Sequence, residues 1–279
     1  MSAVRTGVTD EMIWPKCQCP YWLHEACLAK AMFEAGGCPS CRIPTEKLDE
    51  ASLLGSAADN GGAAKATQLL QNGTPPSPRF LDNSTPLIRA GKHGHKEVLR
   101  ILLNHGASVS EQNNRGRTAI HWAVLNKHRD AVKELFREED LQGVDKMGNT
   151  LLHLAVSSRS VEMVALVLDK RASTSAQDHQ GRTALHLVAE GGEYDMIKPL
   201  ISKSALVDAP DRFARTPLHY AARNRMSSTA KELLNAGALE SIVDSAGCTP
   251  RDLANEPHNI YVRWVFEARP KYNVQIQSS

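Results

Sequence analysis

The chain has 279 residues, with 33 Lys+Arg against 31 Asp+Glu and a formal net charge of +2. That balance argues against nucleic acid or an acidic membrane as a partner, because either footprint needs a clustered basic excess. No apolar run approaches the roughly 18–20 residues of a spanning helix, and the opening Met1–Gly7 lacks the apolar core of a signal peptide. A soluble intracellular protein, cytoplasmic or nuclear, is therefore expected.

The first feature along the chain is a cysteine cluster. Cys17, Cys19, Cys27, Cys38 and Cys41 crowd the amino terminus, while Cys248 stands apart and reads as a buried small residue. Without a secretory signal, short paired spacings point to metal ligands rather than disulfides. Cys38-Pro-Ser-Cys41 has the two-residue gap that lets a chain turn and present both sulfurs to one tetrahedral zinc ion, and His24-Glu-Ala-Cys27 adds two more candidates. Between them, residues 28–35 form a predicted helix stopped by Gly36-Gly37.

These residues resemble the second half of a RING finger, variant forms included. A whole RING crosses two tetrahedral zinc ions with four ligands each, whereas only Cys17, Cys19, His24, Cys27, Cys38 and Cys41 are on offer, because residues 1–16 hold no Cys or His. One solution is a four-sulfur site of Cys17, Cys19, Cys38 and Cys41. The other joins His24, Cys27, Cys38 and Cys41 and leaves Cys17 and Cys19 spare. One zinc ion is expected, not two. The chain reads as starting downstream of a lost first half, either as a genuine short protein or as a truncated gene product.

The resemblance implies contacts to a ubiquitin-conjugating enzyme. Arg42 matches the basic residue after the last Cys, and Met32 and Phe33 flank Ala31, which occupies a slot often held by Trp. The first zinc loop is missing.

From residue 48 onward the chain repeats. The threonine of Thr85-Pro-Leu-Ile recurs at Thr118, Thr150, Thr183, Thr216 and Thr249, at intervals of 33, 32, 33, 33 and 33 residues. Asp145, Asp178, Asp211 and Asp244 keep the same register. Each unit opens with a turn containing Gly, such as Arg115-Gly116 or Gln180-Gly181. The Thr then caps a short helix, with Pro suited to its first turn. A second helix follows, with apolar residues at helical spacing (Val98, Ile101, Leu102), and the unit closes as in His105-Gly106-Ala107. Ser52 lies 33 before Thr85 and marks a weaker first unit, in which Gly55 replaces His. The last unit substitutes Arg251-Asp252 for the usual Leu-His.

The pattern resembles the ankyrin family, whose signature stands nearly whole in Thr216-Pro-Leu-His-Tyr-Ala-Ala222. The resemblance implies an all-α solenoid of helix-turn-helix units with β-hairpin tips, here preceded by the small zinc module. The expected domains are 1–47 for that module, 48–268 for about six repeats plus a capping half, and 269–279 for a disordered tail.

The resemblance also assigns roles. His121, His153, His186 and His219 tie each unit to a neighbouring backbone, and are too far apart to share a metal. Trp122, Leu154, Leu187 and Tyr220 occupy a slot that lines the concave groove, where Trp and Tyr are the preferred anchors. The tips carry Asn113, Asn114, Arg115 and Arg117, then Lys146 and Met147, then His179, Gln180 and Arg182, then Arg212, Phe213 and Arg215, whose recurrent positive charge suits an acidic partner segment. No nucleotide-binding, hydrolase or zinc-protease motif is present in the sequence. The expected function is a monomeric scaffold that binds a protein partner through groove and tips. The alternative is a RING-type E3 ubiquitin ligase with the array as substrate receptor, which needs no nucleophile of its own because it positions another enzyme's thioester.

Overall fold

The computed structural model describes residues 50–255 and 259–268. The cysteine module and the carboxy-terminal tail lie outside the described residues.

Within them the chain forms seven helix pairs. These are α1 (Glu50–Asn60) with α2 (Ala63–Gln71), α3 (Pro86–His93) with α4 (Lys96–Asn104), and α5 (Ala119–Leu125) with α6 (Arg129–Leu135). Then come α7 (Leu151–Ser157) with α8 (Val161–Asp169), α9 (Ala184–Gly191) with α10 (Ile197–Ser202), α11 (Pro217–Arg223) with α12 (Ser227–Asn235), and α13 (Pro250–Ala254) with α14 (Ile260–Glu267). First helices stack on first helices and second helices on second helices along the array. The core is a continuous strip between the two layers. Leu54, Leu87, Leu99, Leu102, Leu151, Leu185, Leu218 and Leu233 are all at 2 % exposure or less. Burying one such side chain contributes about 1.5–3 kcal/mol.

The repeated threonines start the first helices as the sequence predicts. Thr85 accepts from the Ile88 N–H. In the next four units the backbone N–H of Thr118, Thr150, Thr183 and Thr216 donates to Nδ1 of the histidine three residues on, at 3.0–3.3 Å. That bond makes Nδ1 an acceptor, so the ring proton sits on Nε2 and points across to the next unit. Nε2–H of His153, His186 and His219 donates to the carbonyls of Arg182, Arg215 and Cys248, at 2.9, 2.9 and 3.1 Å. In the last unit Asp252 takes the histidine's place in the cap, accepting from both the N–H and the hydroxyl of Thr249.

The tips differ from expectation: no strand occurs among the described residues. From Asn113 onward each tip is a five-residue turn closed by two backbone bonds and wrapped around the carboxamide or carboxylate of its first residue. Asp145 Oδ1, for example, accepts the N–H groups of Met147 and Asn149. Neighbouring tips share one bond apiece, such as Lys146 N–H to Arg115 O at 3.0 Å and Arg212 N–H to Gln180 O at 3.1 Å. One bond per tip cannot build a ladder.

The first unit also departs from the pattern. Ser52 lies inside α1 rather than at its cap. Gly55, in the histidine slot, is packed against the Phe80 ring so closely that a Cβ would fall 2.4 Å from it. The Arg89 guanidinium covers the same ring at 4.0 Å.

Two predictions follow from this geometry. The turns place Gly116, Gly148, Gly181 and Gly247 at positive φ, but the equivalent Ala214 is held at φ 55. Ala214→Gly should stabilise the fold by about 0.5–1 kcal/mol, read as a raised thermal midpoint; an unchanged or lowered midpoint contradicts the strain.

The second concerns pH. Burial pushes the imidazoles of His153, His186 and His219 below the usual histidine range, and takes His121 down to about 4 against the pull of Asp145. The unfolded chain therefore binds more protons below about pH 6.5. Stability should be flat from pH 8 to 7 and fall from about 6.5 towards 4, with His121 alone contributing on the order of 3 kcal/mol across that window. Urea midpoints that fall no less steeply in His121→Gln would refute the assignment.

Candidate partner-binding surface

The groove slot turns out to be divided between core and surface. Leu154 is sealed in the stack at 1 % exposure. Tyr220 is 8 % exposed and its phenol is engaged: it donates to Asp211 Oδ2 at 2.8 Å and accepts from Arg215. Burial and then the Asp211 bond push that phenol's pKa up. Trp122 and Leu187 are half-buried and retain a free edge.

Tip residues divide in the same way. Asn113 turns inward, accepting from the N–H groups of Arg115 and Arg117. Arg182 and Arg215, expected at the surface, are half-buried clamps on their own Asp178 and Asp211, at 2.8 and 2.7 Å. Burial pushes the Asp211 carboxyl up, but donors from Arg215, Tyr220 and Phe213 outweigh it and hold the group below the usual carboxylate range. Arg115 and Lys146 are exposed, and Met147 and Phe213 present 58 % and 55 % of their surface. Phe213 lies under the Arg215 guanidinium at 4.7 Å.

The third unit is built differently. Its 32-residue spacing brings the next tip in one residue early, and Gly143 passes beneath the His121 ring. His121 Nε2 is left buried without an acceptor, where its counterparts reach a carbonyl 29 residues ahead. The junction is held by a charged bond instead. Arg117 Nε reaches forward to Asp145 Oδ2 at 3.0 Å, with the carboxylate 1 % exposed. The exchange is reciprocal. Asn113 replaces the aspartate that Arg117 would otherwise clamp, and Asn149 replaces the arginine beside Asp145 and donates to it from its side chain.

Around this junction cations converge on one indole. Lys92, at the end of α3, and Arg115 each lie 5.8 Å from the Trp122 ring centroid, and Arg117 lies at 5.2 Å. Sequence reasoning named Trp122, Arg115 and Arg117 but missed Lys92. The repeat register was the available signal, since Lys92 sits seven residues after Thr85 and faces the next unit's groove slot.

The family model described as "Ankyrin repeats (3 copies)" matches residues 54–145 and 162–246. The chain belongs to the ankyrin-repeat family. Proteins of this family generally mediate protein–protein interactions. The ankyrin repeat domain of Bcl-3 superposes with a TM-score of 0.66 at 25% identity, covering 77% of this chain and 97% of that one.

A Caenorhabditis elegans protein, "Transient receptor potential cation channel subfamily A member 1 homolog", is 33% identical over 100 residues, covering 35% of this chain and 8% of its own length. The rice (Oryza sativa subsp. japonica) "Probable E3 ubiquitin-protein ligase XBOS33" is 34% identical over 123 residues, covering 41% of this chain and 23% of its own. The chain thus spans less than a quarter of either of these curated relatives.

Among the described residues, no group of three or more His, Cys, Asp or Glu is placed to hold a metal, and no helix is long and apolar enough to cross a membrane. The candidate zinc ligands Cys17, Cys19, His24, Cys27, Cys38 and Cys41, and the enzyme-contact residues Met32, Phe33 and Arg42, lie outside the described residues.

The contrast between Arg115 and Arg117 is testable by denaturation. Arg117→Ala should cost about 1–3 kcal/mol by stripping a buried carboxylate of a charged donor. Arg115→Ala should stay within about 0.5 kcal/mol of the parent. Equal losses from the two would show that the junction does not rest on the Arg117–Asp145 pair.

Proposed function

We propose that the chain is a monomeric interaction scaffold that holds a protein partner against the face shared by its tips and first helices. The observation that carries this reading is the set of side chains the stack leaves available there: the half-buried Trp122 and Leu187 beside the exposed Met147, Phe213, Arg115 and Lys146. Anchors of this kind, aromatic or apolar and ringed by Arg, are where binding energy concentrates in protein interfaces. Tyr220 and Leu154 contribute by holding the wall rigid.

The test compares partner capture by the parent chain with that by Trp122→Ala/Leu187→Ala, using Lys231→Ala on the outer helix α12 as control. Loss of about 2 kcal/mol or more of binding in the double variant at an unchanged thermal midpoint supports the reading. Equal capture by all three proteins sinks it.

A second reading is supported by the amino-terminal Cys/His spacing and by the rice relative's name, which belongs to that protein. In it, zinc held by four of Cys17, Cys19, His24, Cys27, Cys38 and Cys41 orders a RING-like module. That module recruits a ubiquitin-conjugating enzyme through Met32, Phe33 and Arg42, and the array selects the substrate. Self-ubiquitination by the zinc-loaded chain that is lost in Cys38→Ser/Cys41→Ser is the outcome expected of a ligase. A zinc-loaded, folded protein that is silent across a panel of conjugating enzymes removes this reading and leaves the scaffold.

A further inference from the structure

The surface around Trp122 gathers several cations about one indole. Several arginines of the array are matched within the stack: Arg182 and Arg215 close on Asp178 and Asp211, Arg117 on Asp145, and Arg89 of α3 on Asp59. Lys92, Arg115 and Lys146 have no carboxylate within ion-pair distance among the described residues, and all three are exposed. They are also neighbours. Lys146 donates its backbone N–H to the Arg115 carbonyl at 3.0 Å, and Lys92 and Arg115 both lie 5.8 Å from the Trp122 centroid.

The nearby carboxylates are held elsewhere. Asp145 is occupied by Arg117 and Asn149, and Asp82 Oδ1 accepts from the Ser84 N–H. The indole N–H of Trp122 is buried and has no acceptor, so the ring meets solvent through its carbon edge alone. Beside them Met147 exposes 58 % of its apolar surface.

Resting on the scaffold reading, we propose that this is the docking site for an acidic peptide segment of the partner protein. Its carboxylates pair with Lys92, Arg115 and Lys146, and an adjacent apolar side chain covers Trp122 and Met147. Lys92 and Arg115 approach one ring and Lys146 adjoins Arg115 along the backbone, so an incoming carboxylate meets like charges held close together and gains charge-assisted hydrogen bonds. The patch is too short for a nucleic-acid track: three free cations in a chain of net charge +2 do not follow a phosphate backbone. The tail at 269–279 contains no Asp or Glu and cannot supply the segment from within.

The experiment selects short random peptides on phage against the immobilised full chain. It then measures the recovered peptides by fluorescence anisotropy against the parent, Trp122→Ala, and Lys92→Ser/Arg115→Ser/Lys146→Ser. The result expected is enrichment of Asp and Glu next to an apolar residue, with affinity weakened about tenfold or more in the triple variant and further by added salt. The thermal midpoint of the triple variant should match the parent.

Peptides that need Trp122 but bind the triple variant as well as the parent overturn the acidic partner and leave the scaffold reading standing. Failure to recover any peptide sensitive to Trp122→Ala overturns both. A single-stranded oligonucleotide or anionic vesicle that outcompetes the recovered peptides through the same three cations overturns the choice of occupant.

Discussion

The array depends on one recurrent hydrogen-bonded relay. A threonine N–H at a helix start donates to a buried imidazole, and that imidazole donates to a carbonyl of the next unit. Each half does a different job. The first fixes the ring's tautomer and ends the unsatisfied run of amides at the helix start. The second sets the distance between units, because the donor and acceptor belong to different repeats. His153, His186 and His219 therefore fix capping and stacking with a single side chain each. The buried ring stays neutral, which ties the stack to pH values at which imidazole is unprotonated.

Where the relay fails, the molecule shows what it was supplying. The one-residue deficit between Thr118 and Thr150 leaves His121 capped but without a cross-unit acceptor. A buried donor in that state costs about 1–3 kcal/mol. The Arg117–Asp145 pair spans the same junction, and the Asn113 and Asn149 substitutions on either side make it possible by freeing Arg117 and vacating a donor position beside Asp145. A guanidinium tolerates the altered spacing better than an imidazole, because its reach is longer and it carries several donors.

The same bookkeeping of partners separates structural from available charge. Arg182, Arg215 and Arg117 look like surface residues by type, yet their own carboxylates hold them. Lys92, Arg115 and Lys146 remain because the aspartate slot in the third unit is Asn113 and the nearest acids are engaged. The proposed docking surface is thus built from cations that the stack leaves unpaired beside the junction where the repeat is irregular.

The sequence alone was enough to show the repeat, its register and the helix starts at the threonines, because each of these is a local pattern copied along the chain; the structural role of the histidines came from the family resemblance. The sequence also named Trp122, Arg115 and Arg117, which the fold brings together. It misjudged the tips as β-hairpins, since one shared bond per tip is a property of neighbouring turns in space. It treated Leu154, Tyr220, Arg182 and Arg215 as free, because residue type does not say whether a side chain is closed over by the helices around it. Only the tertiary structure decided that Lys92 meets Trp122 from the preceding unit and that Arg117 reaches forward to Asp145. Both contacts cross a repeat boundary, and their existence depends on the spacing between units rather than on the residues within one.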